Sequence, residues 1–312
     1  MGFSSIVGQE VAKRILIAQS KTQKVANAYL FYGPRGVGKM LTAKTFIKAL
    51  NCEQSDYDAC DTCATCKSIE EQKNPDFDII FPGEKGRILI DQIRELKKRA
   101  SYRSIWLNYR ATIIRKADTL MEEAANAFLK ILEEPPPRTI FILITQKPYA
   151  LLPTIRSRCQ AIRFRRLQEQ EIKKIITSMV DITSQDFEYV SQLANGDITH
   201  ALKLLEPEER ELRIKTFEFF QANPLGRLHK VQESKILEVE AILFYLESFY
   251  MDSFSNKIGV SKLIKDKDFE FEKSLPLEEV SKAVSICEGA FRALRQNVHK
   301  KLILYQLIKE LP

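Results

Sequence analysis

Apolar residues follow two regimes along the chain. Up to about residue 165, short unbroken apolar runs alternate with stretches of helical spacing. Ala28–Tyr32, Ala111–Ile114 and Ile140–Thr145 are the runs, the last two rich in β-branched residues. Runs without alternation suit strands covered on both faces, as in a buried parallel sheet. Helices are predicted between them over Lys39–Leu50, Asp91–Arg99 and Glu122–Leu132. Beyond about Arg166 the strand signal stops. Spacings of three and four predict helices over Gln168–Met179, Ser184–Leu193, Asp197–Leu205, Glu208–Ala222, Ile236–Asn256, Leu277–Arg295 and Lys300–Leu311. Lys265–Lys273 is a charged break between two of them. The expected fold class is α/β followed by all-α, in three parts: 1–165, a small helical domain over 166–206, and a larger one over 207–312.

Composition adds few constraints. A length of 312 residues suits two or three domains, and 45% apolar with 29% charged residues is an ordinary globular mixture that excludes disorder. A net charge of +7 permits contact with nucleic acid without arguing for it. The longest apolar run, Ala241–Leu246, is far too short for a bilayer. The opening Met-Gly-Phe-Ser-Ser-Ile has no basic segment followed by an apolar one, so no signal peptide is expected. Ile6 also breaks the myristoylation pattern. Six cysteines are too few for a disulfide scaffold, which points to the reducing cytoplasm.

Gly33-Pro34-Arg35-Gly36-Val37-Gly38-Lys39 follows a predicted strand and opens a predicted helix. That is the setting of a phosphate-binding loop. Gly33, Gly36 and Gly38 let backbone amides curl around a phosphate, and Lys39 reaches its outer oxygens. The next position normally carries a Ser or Thr hydroxyl for Mg²⁺; here it is Met40, a poor ligand for a hard cation. A working NTPase of this kind also ends a second apolar strand in acids. Ala111–Ile114 instead runs into Arg115 and Lys116, which would repel the metal and orient no water. Asp118 and Glu122 fall past the strand end. The pattern predicts no Mg²⁺ site and no hydrolysis by this chain alone, and leaves ATP binding without turnover open.

Cys52, Cys60, Cys63 and Cys66 are spaced C-x₇-C-x₂-C-x₂-C, with no histidine nearby. Four thiolates so close suit a closed, structural Zn²⁺ site within 52–66. An iron–sulfur cluster, a redox pair or free thiols are the alternatives. Cys159 and Cys287 lie far from the cluster and read as buried thiols.

Several segments resemble bacterial DNA polymerase III clamp-loader subunits: Phe3–Gln9, Ala28–Lys39, Ala43–Cys52, the cysteine insertion, Asn126–Pro136 and Thr154–Cys159. That family has a motor branch, gamma/tau, with a complete ATPase apparatus, and a delta prime branch with a degraded one. Asn74–Phe77, Ile88–Leu96, the ending Asn297–Leu311 and the changes at Met40, Arg115 and Lys116 are similar to delta prime. The resemblance implies an AAA+ fold, with 166–206 as a helical lid and 207–312 as a collar joining subunits in a ring. It implies a non-catalytic stator that works beside motor subunits and a delta subunit and helps load a sliding clamp onto primed DNA. A divergent, hydrolysing motor subunit is the alternative. The family is counted within the DNA-directed DNA polymerase holoenzyme, a nucleotidyltransferase. Ser157-Arg158-Cys159 matches the family's SRC motif, whose arginine enters a neighbour's ATP site, so Arg158 is implied as an arginine finger in trans, with Arg156 the second choice. Thr145 resembles a phosphate-sensing residue, and Thr199 stands where the lid segment normally carries arginine.

Arg94 with Lys97, Lys98 and Arg99, and Arg163 with Arg165 and Arg166, form basic groups. They read either as solvated faces or as sequence-independent contacts to primer–template phosphates. No base-reading motif is present.

Overall fold

The protein is described from a computed structural model, which covers residues 2–83, 85–102, 104–180, 187, 190, 191, 193–221, 239–259, 275–296 and 298–311. The described residues divide into two compact units, Met1–Ile175 with Gly196–Ile198, and Ile176–Asn195 with Thr199–Pro312.

The first unit holds a five-stranded sheet in the order β2-β3-β4-β1-β5. The strands are β1 (Ala28–Tyr32), β2 (Phe77–Ile80), β3 (Arg110–Arg115), β4 (Thr139–Thr145) and β5 (Gln160–Arg163). All four pairings are parallel, with Leu30 beside Leu143 and Ile113 beside Ile142 in the centre. The helices are α1 (Glu10–Thr22), α2 (Lys39–Asn51), α3 (Ala64–Glu70), α4 (Ile90–Ser101), α5 (Glu122–Glu133), α6 (Pro153–Ser157) and α7 (Glu169–Thr177). β1, β3 and β4 are the three predicted runs. Their residues alternate between two cores. Tyr29, Phe31, Ile142 and Ile144 face one, with Leu16 and Phe46; Leu30, Phe141 and Leu143 face the other, with Leu96 and Phe128. Both faces are apolar, which is why the runs are unbroken.

β2 and β5 are the edge strands and escape the apolar-run criterion. β2 carries Asp78, and β5 buries only Ile162. α1 is also absent from the predictions. Its buried stripe is Ala12, Leu16 and Ser20, only one of them large and apolar.

The second unit is helical where described, at Ile198–Leu204 (its last six residues), Pro207–Gln221, Val239–Lys257, Leu277–Arg295 and Lys300–Glu310. Most of the predicted Ser184–Leu193 helix and all of the charged break at Lys265–Lys273 lie outside the described residues. Leu243, Leu246, Ala283, Cys287 and Leu307 form its core. Among the described residues no helix is long and apolar enough to cross a membrane.

Candidate functional site

The phosphate-type loop leaves the C-terminal end of β1. The Gly33 amide donates to the Thr145 carbonyl at 3.3 Å, so the loop starts where β1 meets β4. Gly33 has φ +147°, and a Cβ there would stand 2.3 Å from the Phe164 carbonyl oxygen. Gly36 has φ +65°, and its missing Cβ makes room for the Asp197 carboxylate, which would otherwise be 1.6 Å away. Only glycine tolerates both the backbone and the approach. The Ile198 amide donates to the Gly36 carbonyl at 3.1 Å, and Arg35 faces Asp197 at 3.9 Å. Gln9, itself buried, clamps the arrangement: its amide nitrogen donates to the carbonyls of Val37 at 3.3 Å and Arg165 at 2.7 Å. Its oxygen accepts from the Arg165 amide at 3.0 Å.

Lys39 opens α2 and is buried. Its ammonium donates to the carbonyls of Gly33, at 2.8 Å, and Pro34. Burial pulls its pKa down to about 8, against the opposing pull of the Asp197 charge. An anion in the loop would reverse that shift, because a full negative charge compensates the ammonium better than carbonyl dipoles do. Met40 packs its side chain against the core beside α2. No oxygen ligand stands at that position.

At the end of β3, Arg115 is exposed and stacks over the Phe81 ring at 5.3 Å. Lys116 follows in the left-handed region, with φ 48°. Asp118, placed by sequence past the strand, lies in the turn Ala117–Thr119. The buried Thr145 hydroxyl donates to its carboxylate at 2.5 Å, and the Lys147 amide donates to the Thr145 oxygen at 2.9 Å. The threonine is therefore engaged with an acid. Sequence reasoning missed this pairing, because the two residues are 27 apart.

Arg158 follows α6 directly. Its guanidinium pairs with Glu133 at 3.0 Å and donates to the Thr154 carbonyl at 3.1 Å. Its side chain stays 38% exposed, so it can be reached from outside the chain. Arg156 instead lies over the Tyr149 ring at 5.1 Å. Burial raises the thiol pKa of Cys159 and of Cys287 to about 12, as inert thiols require.

The ligand atoms of Cys52, Cys60, Cys63 and Cys66 lie within 4.8 Å of one another, and all four cysteines are free of disulfides. Tetrahedral Zn–S bonds of about 2.3 Å put sulfurs about 3.8 Å apart, close to the 4.0 Å between Cys60 and Cys66. The Cys63 amide donates to Cys60 sulfur and the Cys66 amide to Cys63 sulfur, both at 3.3 Å. Such amide donors stabilise thiolates and orient metal ligands. The four residues fit a structural metal such as zinc. The module is tied to α2 by Lys48, whose buried ammonium meets Asp61 at 2.5 Å and Glu70 at 2.9 Å.

Asp76, in the Asn-Pro-Asp-Phe segment, is a centre that the sequence does not reveal. Its Oδ2 accepts from the Ser104 hydroxyl and from the amides of Ile105, Trp106 and Leu107 at 2.6–3.2 Å. Its Oδ1 pairs with Arg110 at 2.5 Å. Burial alone would raise its pKa; these donors overcome that and pull it down to about 2.

Among the basic residues, Arg94 pairs with Asp91, Arg99 with Asp78 and Glu95, and Arg165 with Glu171. Lys97, Lys98 and Arg163 are exposed.

The family described as DNA polymerase III, delta subunit, matches residues 8–168, just over half of the chain. DNA polymerase III subunit tau of Bacillus subtilis is 36% identical over 211 residues, 65% of this chain and 37% of that protein. The gamma/tau subunit of Mycobacterium tuberculosis is 34% identical over 180 residues, 57% of this chain and 31% of that protein. The chain thus spans about a third of the length of these two relatives. DNA polymerase III subunit delta′ of Bacillus subtilis is 28% identical over 309 residues, 96% of this chain and 93% of that protein. A gamma subunit-related protein of Thermotoga maritima has the same fold, with TM-score 0.54 at 22% identity over 96% of this chain and 97% of the other. The chain belongs to the DNA polymerase III delta-subunit family, within the clamp-loader family that its motifs resemble.

Proposed function

We propose that this chain is the delta prime-like stator of a replicative clamp loader, a subunit that does not hydrolyse ATP. The observation that carries the reading is the end of β3. Arg115 and Lys116 stand where hydrolysis needs acids for Mg²⁺ and water, and Met40 removes the remaining hydroxyl ligand. The similarity to delta′ over nearly the whole chain supports the same branch. In this reading 1–165 is the AAA+ domain, 166–206 its lid and 207–312 the collar. The partners are gamma/tau motor subunits, a delta subunit, a sliding clamp and primed DNA held through its phosphates, all in the cytoplasm. Gly33, Gly36, Gly38 and Lys39 bind a nucleotide phosphate without turning it over. Arg158, released from Glu133, completes the neighbouring motor's site by neutralising charge on the transferred phosphoryl group. Cys52, Cys60, Cys63 and Cys66 hold Zn²⁺, which supplies folding energy to residues 52–66 and no chemistry.

Purified motor subunits, clamp and primed DNA test this directly. With this chain carrying Arg158→Ala, ATP turnover should drop at least tenfold with assembly intact; trans fingers elsewhere supply about 10³–10⁵. Unchanged turnover would remove Arg158 as a finger. A zinc chelator should release the metal and unfold the module, whose metal-linked folding energy is on the order of 10 kcal/mol.

A divergent motor subunit is the second reading. The intact glycines and Lys39, and the 36% identity to tau, favour it. ATP hydrolysis by this chain alone, abolished by Lys39→Ala, would establish it and end the stator reading.

A further inference from the structure

Besides its buried stripe, α1 carries a second face. Arg14, Ile17, Ala18 and Lys21, at spacings of three and four, line a groove of about 540 Å³. That volume falls within the roughly 300–1,000 Å³ of ligand sites. Phe3, Tyr57 and Asp58 are among the residues that complete it. Tyr57 and Asp58 lie between Cys52 and Cys60, so this wall is part of the four-cysteine module. The wall is held against α1 and the chain before it. Asp58 Oδ1 accepts from the amides of Phe3 at 2.7 Å and Ala59 at 2.8 Å, and the Asp58 amide donates to the Ser55 hydroxyl oxygen at 3.2 Å. The Lys21 ammonium lies 4.4 Å from the centre of the Tyr57 ring. Across the groove, the Lys13 ammonium donates to the Ile6 carbonyl at 2.8 Å and pairs with Glu10 at 2.7 Å. The groove is formed before any ligand arrives, which spares a partner the cost of ordering it.

The lining selects the occupant. Ile17 packs against the core, and Phe3 is itself buried, so the apolar floor is rigid. Among the lining charges, Glu10 is answered by Lys13 and Asp58 by two amides. Arg14 is exposed and makes no ion pair among the described residues, and the ring beneath Lys21 leaves its positive charge uncancelled. The two cations are two helical turns apart, about 10 Å along α1. The amides of Phe3 and Ala59 could have served a phosphate, but Asp58 takes both, and the ammonium covers one face of Tyr57. A nucleic acid therefore finds neither phosphate donors on the backbone nor a fully open stacking ring. We propose that this groove docks an acidic peptide segment of a partner protein. An apolar side chain of that segment sits between Ile17 and Tyr57, and flanking carboxylates pair with Arg14 and Lys21. The metal of the cysteine module then orders a binding wall, a clause that rests on the zinc reading. The groove itself needs neither nucleotide nor Arg158.

The probe is a fluorescein-labelled peptide with a leucine-phenylalanine centre and glutamates on both sides. Titrated with the zinc-loaded full chain and followed by anisotropy, it should bind saturably, and more weakly as salt rises. A lysine version of the peptide, and polyglutamate without the apolar centre, should bind at least tenfold more weakly. Arg14→Glu should weaken binding roughly tenfold, while Arg14→Lys keeps most of it. Ala18→Glu places a competing carboxylate in the groove and should weaken binding by a similar factor, roughly tenfold. Residues 14 and 18 are both exposed, so these variants should keep the wild-type thermal midpoint. Chelating the metal should lower affinity as far as Tyr57→Ala does. Binding that survives chelation but is lost in Arg14→Glu would keep the groove and overturn the metal's part in it. No saturable binding, equal affinity for Arg14→Glu, or equal affinity for polyglutamate or oligo(dT) would overturn the docking site.

Discussion

Lys39 and Asp76 are two buried charges in one α/β unit, at opposite ends of its sheet, and the fold treats them oppositely. Lys39 donates to the carbonyls of Gly33 and Pro34, and the Asp197 charge offsets its burial only in part. Carbonyl dipoles orient an ammonium but do not replace its hydration, so its pKa falls to about 8. Asp76 meets amide donors, a hydroxyl and a full opposite charge, and its pKa falls to about 2 despite burial. A depressed pKa thus has opposite meanings for the two residues: the lysine is poorly served in its charged form and the aspartate well served. The architecture completes the charge it uses as a joint, and leaves incomplete the charge that an incoming anion would complete.

Removal of Asp76 is the largest test of this contrast. Asp76→Ala strands Arg110 and the amides of Ile105, Trp106 and Leu107, and should cost about 3–5 kcal/mol in urea unfolding. Lys39→Met should instead leave stability within about 1 kcal/mol of wild type or raise it, because it deletes a badly solvated charge. Losses of similar size in both variants would erase the distinction.

Ligand binding is the next test. Inorganic pyrophosphate or ATP should favour the protonated Lys39, so affinity falls by up to about tenfold per pH unit above about pH 8. Lys39→Ala should weaken binding and remove that dependence. A flat profile would mean that the lysine does not meet the phosphate.

The smallest effects lie in the pH dependence of folding. The native Asp76 pKa is below its ordinary 3.8, so its contribution is complete above about pH 4 and drains away as pH falls towards 2. Asp76→Asn should show a shallower acid limb. The native Lys39 pKa is below its ordinary 10.5, so between about pH 8 and 10.5 the unfolded chain holds a proton that the native state has released, and stability rises with pH there. Lys39→Met should lack that rise.

Features encoded locally were legible in the sequence. The strands β1, β3 and β4 stand out because both their faces are covered, and the cysteines because their spacing is itself the ligand geometry. The glycine loop Gly33–Lys39 is legible from its spacing, and at Gly33 and Gly36 the fold leaves no room for a side chain. What escaped depends on partners distant in the chain. Asp76 beside a proline looks like a turn residue; its role exists only through Arg110, 34 positions on, and the amides of Ile105, Trp106 and Leu107. Asp118 looks like a stray acid until Thr145 reaches it. Arg158 is legible as part of a motif, but its resting partner Glu133, 25 positions earlier, is not. The edge strands failed for another reason: one uncovered side dilutes the apolar signal that marks a strand.

Gln9 carries a consequence for the order of synthesis. Its side chain joins Val37 in the loop to Arg165 beyond β5, which lies 156 positions after Gln9 itself. β1 is likewise flanked only by β4 and β5, made more than a hundred residues later. A chain emerging from the ribosome therefore exposes residues 33–39 well before it can brace them, because residue 165 must follow first. Contacts that distant form slowly, since they must first overcome the entropy of closing the intervening chain. Translated well before β4, β5 and Arg165, the loop is finished only after them. Until then its apolar flank, Ala28–Tyr32, is a strand without neighbours, the state that a nascent chain must spend the least time in.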